Sequence, residues 1–179
     1  MTKLHLGCGW RNFGSDWIHI DGGEYDHLDH KDITKLPIAD NTVDLIYASH
    51  VLEYFDREEA LVVLTEWHRT LKPGGILRLA VPDYEAMAKL YVSGQCKLSN
   101  LVGPMYGKMP MGDIIIYHKT VYDFLELQSM LKSLIFNNIN KYNWRNTIHA
   151  NIDDHSQAYI PHMDKEHGVL ISLNVEATK

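Results

Sequence analysis

The chain has 179 residues, 45% hydrophobic and 22% charged, a length and balance that fit one folded domain and exclude disordered, collagen-like and low-complexity classes. Its 17 basic and 23 acidic residues leave a formal net charge of −6, and the acids are spread along the sequence. That argues against a sequence-independent nucleic-acid binder, which needs a basic face to displace counterions. Cys8 and Cys96, the two cysteines, form no CxxC pair and no disulfide scaffold, so a reduced, cytoplasmic setting is expected. No run approaches the ~20 apolar residues of a membrane span, and no signal peptide is read at the N-terminus.

In chain order, Lys3 to Leu6 reads as a strand running into Gly7-Cys8-Gly9, and Trp17 to Asp21 as a second strand stopping at Gly22-Gly23. Thr42 to Ala48 is a short apolar run of the kind a buried parallel strand shows. Asp56 with Glu59 forms a capping-box signature for a helix from Arg57 to Leu71, whose apolar repeat is Leu61, Leu64, Trp67, His68 and Leu71. Ile76 to Val81 is a further strand, and Pro82-Asp83 opens a helix from Tyr84 to about Val92. Residues 93–119 are expected to be a loop-rich insertion. Thr120 is expected to cap a helix through Leu134, with strands at Asn138 to Trp144 and Gly168 to Glu176 joined by the polar, histidine-rich segment 145–167. The alternation gives an α/β domain with a mostly parallel sheet.

A strand ending in Gly7-Cys8-Gly9, followed by one ending in Asp21, suits an adenosine cofactor. The glycines admit the ligand to the backbone, and the acid accepts hydrogen bonds from ribose hydroxyls. The dinucleotide fingerprint requires a third glycine at position 12, where this chain has Asn12, so NAD is the weaker choice.

Four segments in order, LHLGCGW (4–10), IHIDGG (18–23), KDITKLPIADNTVDLIYASHVLEYF (31–55) and LKPGGILRLAVPD (71–83), resemble the class I S-adenosylmethionine-dependent methyltransferases. Within these the chain looks most like a small bacterial-type branch. The resemblance covers nearly the whole chain and implies a Rossmann-like sheet, mostly parallel with an antiparallel last strand. It implies S-adenosylmethionine as cofactor, with Leu6, Gly7, Cys8 and Gly9 against its methionine part and Asp21 on its ribose. Asp32 and Ile33 would flank the adenine, and Ala48, Ser49 and His50 would lie beside the sulfonium. Asp32 as a turn cap and Ile33 as core are the plain structural alternatives.

Only ten residues, 7–16, connect the first two strands, where a parallel crossover with its helix takes a dozen or more. The first helix is therefore expected to be truncated to about one turn or absent. The sheet face so bared should be covered by the C-terminal segment or by a second subunit, as in a homodimer.

Methyl transfer from a sulfonium is an in-line displacement that depends mainly on alignment. A protic acceptor also needs a base, for which His50 and His118 are the candidates by position. The histidines and aspartates of 145–167 match no compact metal pattern, so no metal is expected. With no N-terminal lid expected, the acceptor site is assigned to 93–119 and 145–167. In the family a Gly-Phe pair commonly follows the helix near Leu134, where this chain has Ile135-Phe136, so that turn must close without glycine.

The function implied is methyl transfer to a small molecule or to a glycan or lipid precursor. DNA is disfavoured because Ser49-His50-Val51 replaces the Asn/Asp-Pro-Pro-aromatic motif of DNA amino-methyltransferases. The competing reading is a non-catalytic protein that binds S-adenosylmethionine or S-adenosylhomocysteine as a regulatory or partner subunit.

Overall fold

In the computed structural model, which describes residues 1–179, six strands hydrogen-bond into one sheet. Their spatial order is β2 (Trp17–Ile20), β1 (Lys3–Leu6), β3 (Val43–Ser49), β4 (Leu71–Pro82), β10 (Ser172–Thr178) and β7 (Asn137–Lys141). The first four are parallel, and β10 runs antiparallel to both of its neighbours. Beyond β2 the sheet is extended only by a single parallel bridge, Ile20 to His30.

α1 (Arg57–Thr70) begins at the expected capping box: Asp56 accepts from the Glu58 and Glu59 amides, and Glu59 reaches back to the Asp56 amide. Its buried stripe is Ala60, Val63, Leu64 and Trp67, rotated from the expected one, since Leu61 is exposed. Spacings of three, one and three place these four on one face, and Trp67 anchors it by donating from Nε1 to the Ile33 carbonyl at 2.8 Å.

α2 (Tyr84–Val92) follows the sequence reading, but residues 93–119 are more ordered than expected. They contain α3 (Leu98–Tyr106) and the hairpin of β5 (Met109–Met111) with β6 (Ile114–Ile116). Pro104 inside α3, with only Leu101 of that helix buried, erases the apolar period that would have announced it. Asp123, not Thr120, caps α4 (Phe124–Ser133), its Oδ1 accepting from the Glu126 amide at 2.8 Å. Tyr122 is held ahead of that cap by its bridge to Asp83. The last expected strand is split: β9 (Val169–Leu170) pairs with β8 (Tyr159–Ile160), and only β10 joins the main sheet.

The turn after α4 closes on Ile135 at φ +68°, a left-handed conformation disfavoured for a β-branched residue. Its side chain stands 75% exposed, so packing gives nothing back. Ile135→Gly should raise stability by about 1 kcal/mol, read as a melting temperature a few degrees higher; an unchanged or lower value would mean that the turn carries no strain.

The two faces of the sheet are built differently. Leu4, Leu6, Ile46, Leu77 and Leu79 pack with Leu64 and Trp67 of α1 and with Leu127 and Leu131 of α4 into the main aliphatic core. The opposite face lacks the helix between β1 and β2 altogether, as the ten-residue crossover requires. Its cover is supplied by residues 144–157 of the same chain. His149 lies 3.9 Å from the Tyr47 ring, centroid to centroid, and Phe13 stacks at 3.9 Å on His5. Tyr47 donates from its hydroxyl to Asp154 Oδ2 at 2.5 Å, while Asp154 Oδ1 accepts from the Ser156 amide at 2.8 Å. Burial holds the His149 imidazole down at about 4, so it packs as a neutral ring. Half of the histidine-rich segment, expected at the substrate side, is thus the wall of the sheet.

Candidate functional site

In a parallel sheet the crevice for ligands opens at the carboxyl ends of the strands where the chain leaves in opposite directions. Here that point lies between β1, which leads out to β2, and β3, which leads through α1 to β4. Gly7 has φ +63°, and a Cβ there would sit 2.1 Å from Val51 Cγ2, so only glycine lets the loops after β1 and β3 close together. Gly9, at φ +56°, instead faces open space, with nothing within 4 Å of an added Cβ. Asp21 ties the loops together: its Oδ2 accepts from the Gly9 amide at 2.8 Å and its Oδ1 from the Gly23 amide at 2.7 Å. Each oxygen retains a lone pair for a further donor.

The remaining expected cofactor contacts divide. The side chains of Leu6 and Ala48 are buried in the main core, so these residues can offer a ligand only backbone. Cys8 is buried 3.7 Å from His27 Nε2, and burial pushes its thiol up to about 12, which leaves it a packing group. The Ser49 hydroxyl is buried at the strand end without a hydrogen-bond partner. Asp32 is exposed and closes a turn by accepting from the Thr34 amide at 2.8 Å and hydroxyl at 2.6 Å. Ile33 packs against the main core. The turn and core readings thus account for the side chains of Asp32 and Ile33.

His50 follows the last residue of β3 at φ +55°, a strained conformation that persists only where the surroundings enforce it. Its Nε2 lies 3.1 Å from Ser172 Oγ, which donates to Asn174 Oδ1 at 3.0 Å, while Asn174 Nδ2 donates to the Ser156 carbonyl at 2.8 Å. That direction of donation makes Ser172 the acceptor and assigns the proton to His50 Nε2. His50 Nδ1, bare in the neutral ring, faces Glu53 Oε1 at 3.3 Å. His118 repeats the pattern. Its Nδ1 lies 3.0 Å from the Pro104 carbonyl, which can only accept, and its bare Nε2 faces the same Glu53 oxygen at 3.7 Å.

Glu53 is fully buried, and neither of its oxygens has a hydrogen-bond partner. Burial pushes its carboxyl up to about 8, and burial holds both imidazoles below their usual value. The acid form of Glu53 is what two bare imidazole nitrogens would meet most favourably. The sequence reading missed this residue because a glutamate in V-L-E-Y reads as solvated. Its place three residues after His50 was the one available signal.

The insertion closes round this cluster. Lys119 donates from its amide to the Glu53 carbonyl at 2.8 Å, and Tyr54 from its hydroxyl to the Gly107 carbonyl at 2.9 Å. Met111 of the hairpin lies beside Gly22, its Sδ 3.2 Å from where a Cβ would stand. Gly107 has φ +48°, and a Cβ there would come within 1.9 Å of His118 Nε2. Gly107→Ala should therefore displace the His118 ring and cost about 1–3 kcal/mol; a melting temperature equal to that of the parent would count against this packing. His155 stands exposed over His50, edge to face at 5.3 Å.

Residues 17–79 match the family model described as a methyltransferase domain. A malonyl-[acyl-carrier protein] O-methyltransferase of Dechloromonas aromatica is 43% identical over 49 residues, 27% of this chain and 18% of that protein. A second, from Coxiella burnetii, is 32% identical over 82 residues, 46% of this chain and 28% of that protein. The chain thus spans less than a third of the length of these curated relatives. Among solved structures, a SAM-dependent methyltransferase from Methanosarcina mazei superposes with TM-score 0.60 at 16% identity, covering 99% of this chain and 92% of that one. The 1,6-didemethyltoxoflavin-N1-methyltransferase of Burkholderia thailandensis, solved with S-adenosylhomocysteine, gives 0.56 at 12% identity, covering 99% and 70%. These structural likenesses establish the fold.

Proposed function

We propose that the chain is a class I S-adenosylmethionine-dependent methyltransferase and that it transfers a methyl group from S-adenosylmethionine to a small molecule or to a glycan or lipid precursor in the cytoplasm. The observation that carries the proposal is the strand-end shelf. Gly9 opens to space, Asp21 keeps acceptor capacity on both oxygens, and the buried Ser49 hydroxyl has no partner. These residues fit the donor: Gly7 to Gly9 as backbone under its methionine part, Asp21 on its ribose, Ser49 and the backbone of Ala48 and His50 beside its sulfur. When bound, S-adenosylmethionine supplies an electrophilic methyl group on a sulfonium that leaves as a neutral thioether.

The protein's share of the work is alignment and exclusion of water. Asp21 fixes the glycine loop through the Gly9 amide, and α3 with the β5–β6 hairpin walls the acceptor side. His50, next after β3, and His118 are the candidate bases, and both act through the Glu53 cluster, since their ring nitrogens are turned toward protein groups. The matched relatives are named for O-methylation of malonyl-[acyl-carrier protein]; a carboxylate carried on such a partner belongs among the acceptors to be screened. The test is incorporation of labelled methyl from S-adenosylmethionine into metabolite extracts and into malonyl-[acyl-carrier protein], alongside calorimetry with S-adenosylmethionine and NAD. Donor binding with labelled product supports the proposal, and tight binding of NAD alone would overturn it.

A further inference from the structure

Glu53 is a buried carboxyl that no lysine or arginine reaches. Its basic neighbours within 4 Å are His50 Nδ1 at 3.3 Å and His118 Nε2 at 3.7 Å. Around these stand Tyr54 from its own turn, Tyr122 with its buried hydroxyl unpartnered, and His155 against His50. The Arg11 charge only disfavours a positive charge on the His50 ring. A carboxylate at this position therefore lacks a counter-ion, and the neutral acid is the form the fold accommodates. Yet the residue sits one short turn past the end of β3 and is linked through His50 to the shelf.

We propose that Glu53 discriminates the donor from the spent product by charge, staying protonated in the free protein and in complex with the neutral thioether, and releasing its proton to solvent when a sulfonium occupies the shelf. The inference rests on the reading that the shelf holds S-adenosylmethionine. Its physical basis is that a fixed positive charge nearby supplies the counter-ion Glu53 lacks and favours its ionised form. Binding and proton release are then linked. Because Glu53 loses a proton on binding the sulfonium, donor affinity rises with pH as long as Glu53 is protonated in the free protein, which extends to about pH 8. Product affinity draws nothing from Glu53 over the same range. The sulfonium is thereby favoured, and the thioether is left beside an acid that has regained its proton.

The experiment is isothermal titration calorimetry of the intact chain with S-adenosylmethionine and with S-adenosylhomocysteine. Titrations run from pH 6.5 to 8.5 in paired buffers of different ionisation enthalpy, which count protons released. The donor should release more protons than the product at pH 7, and the ratio of the two affinities should rise by roughly three- to tenfold per pH unit up to pH 7.5, tenfold being the limit for one linked proton. In Glu53→Gln, whose amide can still donate to His50 Nδ1, the Glu53-linked part of both differences should vanish; the ligands' own amino groups titrate alike with either protein. Equal proton release by the two ligands, or a difference that survives intact in Glu53→Gln, overturns the proposal. Should that variant not fold, as judged by circular dichroism, Glu53→Met, close in volume and unable to ionise, takes its place in the same comparison. If neither ligand binds, the reading of the shelf fails and this inference fails with it; if both bind without differential proton release, only the inference fails.

Discussion

Asp21→Ala should weaken S-adenosylhomocysteine binding by about 1.5–3 kcal/mol, the size of hydrogen bonds made to a charged group, or roughly 10- to 150-fold in Kd. The loss has two sources. The ribose hydroxyls lose their acceptor, and the Gly9 and Gly23 amides, now held at 2.8 and 2.7 Å, are released, which loosens the loop beneath the nucleoside. Asp21→Asn separates them, because its one carbonyl oxygen can retain an amide contact while the anionic acceptor is gone. Calorimetry on both variants should rank Ala weakest, Asn between and the parent tightest. Unchanged affinity in Asp21→Ala removes this residue from the ribose.

The second large effect concerns stability. Tyr47→Phe removes the hydroxyl that donates to Asp154 at 2.5 Å in a region where Tyr47 is 0% and Asp154 3% exposed. A buried carboxylate that loses a hydrogen bond costs about 1.5–3 kcal/mol, which for a chain of this size lowers the melting temperature by roughly 3–10 °C. The damage should centre on residues 144–157, whose amides should exchange faster with solvent while those of α1 stay protected. A melting temperature within a degree of the parent would mean that this segment covers the sheet without being fastened by Tyr47.

Those two sites differ in how they could be read from sequence. The meeting of Asp21 with the Gly7–Gly9 loop is legible because it is a local pattern: a short strand, a glycine pair, and an acid closing the next strand. The capping box at Asp56 and Glu59 is likewise written within four residues, and the missing helix between β1 and β2 follows from counting the crossover. The cover is not legible in this way, since Asp154 meets Tyr47 across 107 positions and histidines in a polar stretch look solvated until their partners are known. Glu53 is hidden for the same reason. Its burial is produced by residues 118–122 folding back over it, with the Lys119 amide on its carbonyl. α3 escaped because Pro104 and a single buried leucine give no period, and the α4 cap fell at Asp123 because a carboxylate three residues from the Glu126 amide serves better than the earlier threonine.

Methyl transfer at this shelf depends on where the nucleoside lies, which a crystal structure of the chain soaked with S-adenosylhomocysteine would show. The ribose hydroxyls should lie on the Asp21 carboxylate, the homocysteine chain across Gly7 to Gly9 and the thioether sulfur beside Ser49 and His50. Density for the nucleoside away from the ends of β1 and β3, or at neither, would contradict it.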